Sequence, residues 1–149
     1  MSTERSSPDG MLPRKVWLMR LALLIGVVYL VLGIAGFIVG NGGQIGPDPQ
    51  RTVWVFSISV LLNIVHTGVG LLGLAASRKP AATRIYGWLM FFVFTGLSAY
   101  GLVAAATDLP GNIVNVNAPA ILLYGSTAIA GLFLALFPAR REVRTGTST

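Results

Sequence analysis

Two polar side chains stand out in a long apolar stretch: Asn63 and His66. Each offers both a hydrogen-bond donor and an acceptor when neutral. They are three residues apart, so a helix puts them one turn apart on one face. Such a pair can do three kinds of work. It can glue helices together by hydrogen bonds. It can form a polar point on the path of a solute. Its imidazole can bind haem or a quinone. Tyr29, Ser59, Ser98 and Tyr124 are the candidate partners for this intramembrane polar site.

Other chemistries lack their parts. The five carboxylates, Glu4, Asp9, Asp48, Asp108 and Glu142, all fall outside the apolar stretches. A proton-coupled pump draws on an intramembrane acid, and His66 is the sole titratable group there that is ordinarily charged near neutrality. A metal site needs several ligands, and one His with no Cys cannot assemble one in a single chain. Bis-histidine haem would require two copies of His66 facing each other across a homodimer. A serine nucleophile needs a base and an orienting group. His66 could serve Ser59 or Thr67, but no acid lies near. The expectation is therefore no catalytic residue, no metal and no cofactor.

The elements that must position the pair follow from composition. Of 149 residues, 54% are hydrophobic and 11% are charged. Soluble domains carry about a quarter charged residues, so an ordinary soluble domain, a disordered chain and a nucleic-acid module are excluded despite the net charge of +6. The charges cluster, and the gaps reach the roughly 20 apolar residues of a membrane-spanning helix. Four helices are expected, at about 16–40, 53–77, 85–106 and 117–138. They make one membrane domain over residues 16–139, a four-helix bundle of the all-α class. Residues 1–15 and 140–149 read as polar tails, the first of them disordered. Asn117 is placed to cap the fourth helix, with Pro119 in its first turn.

Basic residues set the topology. Arg5, Arg14, Lys15 and Arg20 precede the first span, and Arg78, Lys79 and Arg84 sit between the second and third. Arg140, Arg141 and Arg144 follow the fourth. The opposite side has Arg51 alone. Both termini should be cytoplasmic, in a multi-pass protein of the cell (inner) membrane. The lipid bilayer is the first partner. Nucleic acid is not one.

Each span carries a small or polar stripe at alternating spacings of four and three. The first is Ala22, Gly26, Tyr29, Gly33, Gly36 and Gly40. The second is Ser59, Asn63, His66, Gly70, Gly73 and Ser77. The third runs Gly87, Phe91, Phe94, Ser98, Gly101 and Ala105. The fourth runs Asn117, Ile121, Tyr124, Ala128, Gly131 and Ala135. Such stripes keep one face toward a neighbouring helix, and their small residues let backbones approach. Tyr29 and Tyr124 should point into protein.

The segment from Leu62 through Asn63, His66, Gly68, Gly70 and Gly73 to Ala75-Ala76-Ser77-Arg78 resembles the hallmark of a four-helix membrane family. That family is domain of unknown function 4383, found mainly in actinobacteria. Its pattern is an Asn, two aliphatic residues and a His, then a Gly-rich stretch ending in small residues and Arg. Many members have a further His before the Asn, where this chain has Leu62. Many also carry an acid-Asn pair and a His in the fourth helix, where this chain reads Asn117-Ala118 and Ile121. The resemblance implies an integral membrane protein without assigned activity.

Three functions are expected, in this order. The first is a non-enzymatic accessory or structural subunit, in a homo-oligomer or larger membrane complex with other membrane helices. The second is a small transporter or channel assembled as an oligomer around Asn63 and His66. The third is a haem- or quinone-binding redox protein.

Overall fold

The computed structural model describes residues 13–40, 51–107 and 112–137. The expected tails, apart from residues 13–15, lie outside the described residues. The elements run α1 (Pro13–Val39), β1 (Thr52–Val53), β2 (Phe56–Ser57), α2 (Val60–Ala76), α3 (Pro80–Thr107) and α4 (Ala118–Leu136). Three of the four helices, α1, α3 and α4, are long and apolar enough to cross a membrane, whereas α2 has 17 residues.

Three boundaries differ from the sequence reading by three residues or more. First, α1 starts at Pro13, inside the expected tail. Proline suits a first turn because its missing N–H has no partner there anyway. Second, α2 starts at Val60 rather than residue 53. Its first expected turns form a hairpin in which Thr52 pairs with Ser57 and Val53 with Phe56. The all-α expectation thus holds for the helices and misses this small antiparallel ribbon. A short run of β-branched and aromatic residues fits a strand and a helix alike by hydropathy, and here Ser59 caps the helix by accepting from Leu62 N at 3.2 Å. Third, α3 begins at Pro80, not residue 85. The Thr83 hydroxyl lies 2.9 Å from the Ala76 carbonyl and 3.2 Å from that of Lys79, tying α3 to the end of α2. Arg84 therefore sits on a helix, and its Nε donates to the Ala135 carbonyl of α4 at 3.1 Å.

The hairpin is fastened to the segment before α4. Asn117 Nδ2 donates to Val55 O at 2.9 Å, and Asn115 Nδ2 donates to Ile58 O at 2.9 Å. Ser57 Oγ accepts from Asn117 N, and Ser59 Oγ donates to Val114 O. Trp54 in the turn has φ 56°, as does Asn115. A left-handed Trp costs about 1–3 kcal/mol and persists only where its surroundings fix it. The Asn117 clamp on Val55 is such a surrounding. Asn117 also caps α4 as expected, accepting from Ala120 N at 3.1 Å.

Packing falls into two helical hairpins, α1 on α2 and α3 on α4. Each closes where glycines face each other. A Cβ on Gly70 would come within 2.5 Å of Leu30 N, and one on Gly73 within 2.6 Å of Gly26 Cα. A Cβ on Gly131 would meet Phe91 N at 2.7 Å. The first-span stripe is buried at all six positions. On α3 the stripe fades at its end, with Ser98 half-buried and Ala105 exposed.

Gly70→Ala should therefore destabilise the protein by about 1–3 kcal/mol, because the clash is with backbone. Gly68, with open space where its Cβ would be, should tolerate Ala or gain up to about 1 kcal/mol. Thermal unfolding of the two variants in detergent checks the contrast.

Candidate functional site

Three of the groups singled out from the sequence, Tyr29, His66 and Tyr124, meet where the two hairpins join. His66 of α2 is 3% exposed, and its Nε2 lies 3.0 Å from the Tyr124 hydroxyl of α4. The Tyr29 hydroxyl of α1 lies 2.7 Å from Thr127 Oγ1 of α4. The single Thr127 proton points at the Leu123 carbonyl, 2.9 Å away, so Tyr29 is the donor in that bond. The Tyr29 ring centroid is 5.2 Å from that of His66 and 4.7 Å from that of Phe94 on α3. Phe94 is 5.4 Å from Tyr124 and closes the cluster. Nearby, the Tyr86 hydroxyl donates to Val69 O at 3.3 Å and ties α3 to α2.

Of the four expected partners, Tyr124 bonds His66 and Tyr29 touches it through its ring. Ser59 and Ser98 go elsewhere. Ser59 is spent on its helix cap and on Val114 O. Ser98 Oγ donates to Ile121 O at 3.4 Å. A serine on an apolar helix finds a backbone carbonyl more readily than a distant side chain.

Asn63 and His66 share a face yet serve different neighbours. Asn63, 2% exposed, looks into the seam with α1, where a Cβ on Gly36 would run into its amide. A Cβ on Gly33 would strike Thr67 Oγ1 in the same way. Asn63 Oδ1 and Thr67 Oγ1 are buried without a hydrogen-bond partner among the described residues. Sequence reasoning overlooked Thr127, and it weighed Thr67 only as a nucleophile. The available signal was spacing: each sits one turn beyond a polar residue already chosen, Tyr124 or Asn63. Among the described residues no three His, Cys, Asp or Glu side chains come together.

The arrangement can hold helices together, and it can hold a proton on either side of the His66–Tyr124 bond. A family model described as a domain of unknown function (DUF4383) matches residues 19–137. The chain belongs to this family. The match takes in α1 from Met19 onward and the whole of α2, α3 and α4, so the hairpin joint lies wholly within the family domain. No curated protein and no solved structure matches the chain.

Tyr124→Phe strands the His66 Nε2, a buried polar atom, and should cost about 1–3 kcal/mol. Tyr29→Phe should cost less, because Thr127 keeps its bond to Leu123 O. Denaturation in detergent with a Tyr124→Phe/His66→Phe double-mutant cycle checks this, with a coupling of about 0.6–2 kcal/mol expected.

Proposed function

We propose that the chain is a four-span integral protein of the cell membrane with both termini in the cytoplasm, that it is not an enzyme, and that it acts as an accessory or structural subunit within an oligomer or larger membrane complex. One observation carries the reading. Its aromatic cluster is bonded internally: Tyr29, His66 and Tyr124 are each 3% exposed or less, with His66 Nε2 on the Tyr124 hydroxyl and the Tyr29 hydroxyl on Thr127. A side chain engaged in this way joins helices.

The short α2 fits a four-span layout. At 17 residues it rises about 25 Å, and the hairpin continues it at one end. The hairpin's non-helical backbone is bonded to the Asn112–Asn117 segment, as backbone near hydrocarbon must be. Outward faces rich in Leu, Ile, Val and Phe suit lipid or other membrane helices.

A second reading, an oligomeric transporter or channel, has one observation in its favour. Asn63 Oδ1 and Thr67 Oγ1 are buried and unpartnered among the described residues, and polar atoms of that kind mark solute paths in membranes.

The test is gentle extraction of the tagged chain followed by native mass spectrometry. A stoichiometric protein partner or a defined homo-oligomer is the expected result. A partnerless monomer would sink the subunit reading. For the second reading, Asn63→Ala should abolish solute flux in liposomes while leaving the unfolding temperature unchanged.

A further inference from the structure

At the end of the molecule where α2 passes into α3, a groove of about 160 Å³ runs between α1 and α2, lined by Val16, Met19, Arg20, Leu23 and Ser77. Its walls are apolar except for one guanidinium and one hydroxyl. The hydroxyl is committed, since Ser77 Oγ donates to Leu74 O at 2.8 Å. Among the described residues, Arg20 makes no hydrogen bond or ion pair. Its five N–H donors are therefore available at the groove. Arg84, near the start of α3 at the same end, spends its Nε on Ala135 O of α4. A larger groove of about 260 Å³ lies on the other side of α2, against Leu72, Ala75, Ile85, Tyr86 and Leu89. It has no charge, and the Tyr86 hydroxyl is already bonded to Val69 O.

We propose that the Arg20–Ser77 groove binds the phosphodiester headgroup of a membrane phospholipid, with an acyl chain laid along Val16, Met19 and Leu23. A guanidinium takes phosphate oxygens in a two-pronged bond that an ammonium cannot copy. Arg20 lies one turn inside the apolar span that begins at Val16, so its stem lies on apolar surface while its head reaches the headgroup level. Arg78 and Lys79 are exposed just beyond Ser77 and add positive potential, which favours lipids of net negative charge. The proposal rests on the membrane-spanning reading.

The test uses the full chain in vesicles of phosphatidylcholine, with and without phosphatidylglycerol. Flotation after a carbonate wash reports insertion, and loss of flotation overturns the membrane reading itself. With insertion intact, native mass spectrometry should find phosphatidylglycerol retained on the wild-type chain. Arg20→Gln should lower that retention roughly tenfold, with a smaller loss for Arg78→Gln/Lys79→Gln. Wild-type retention by Arg20→Gln overturns the proposal. So does an equal drop in unfolding temperature in both vesicle types with retention unchanged, which would leave Arg20 only as a counter-charge to the α2 C-terminus. Should Arg20→Gln fail to fold, Arg20→Lys decides: it keeps the charge and loses the fork, so a several-fold loss is expected and full retention overturns the proposal.

Discussion

Backbone contact at glycine is the constraint on which the molecule depends. In hydrocarbon, burying an apolar side chain against another helix gains little, because lipid is as apolar as the neighbour. What remains is close packing and hydrogen bonding. Gly26 against Gly73, and Gly131 against Phe91, let the backbones of paired helices touch. Two hairpins follow from that. The polar core lies where those hairpins meet. Tyr29, Phe94 and Tyr124 sit at the junction between the hairpins. There their rings fill volume and their hydroxyls find Thr127 and His66.

This constraint is also why much of the fold was legible in the sequence. In a water-soluble helix a repeated glycine is a weakness. In an apolar span it marks the face that meets a neighbour. Ala22, Gly26, Tyr29, Gly33, Gly36 and Gly40 named the buried face of α1 from spacing alone. What spacing could not give was register between helices. Ser98 and Tyr124 were equal candidates for His66, and only the placement of α4 against α2 separates them. The hairpin was hidden for another reason. Val53, Val55, Phe56 and Ile58 are as apolar as any turn of a spanning helix, and the polar groups that pin the ribbon, Asn115 and Asn117, lie about sixty residues away.

The two ends of the bundle are closed by different chemistry. At the hairpin end, neutral amides and hydroxyls do the closing: Asn112, Asn115, Asn117, Ser57 and Ser59 pair with backbone groups of two distant segments. At the other end, Thr83 and Arg84 take up the carbonyls of Ala76 and Ala135. A neutral network can be fully satisfied within the protein and needs nothing from outside. A cationic end carries net charge, and among the described residues no carboxylate is there to neutralise it. The charge asymmetry of the sequence therefore reappears as a difference in what each end requires from its surroundings.

The Asn63–His66 pair, one unit in the sequence, comes apart in three dimensions. His66 Nε2 is saturated on the α4 side by Tyr124, and the ring is boxed by Tyr29. Asn63 faces α1, where Gly33 and Gly36 present only backbone, and its amide Oδ1 and the Thr67 hydroxyl oxygen have no partner among the described residues. A saturated group holds structure together. An unsaturated one in an apolar seam raises the free energy of the folded state until something meets it. The structural and the solute-handling readings thus fall on different residues one turn apart. Substitution at His66 tests the joint between the hairpins, and substitution at Asn63 tests the seam, so each reading can fail without dragging the other down.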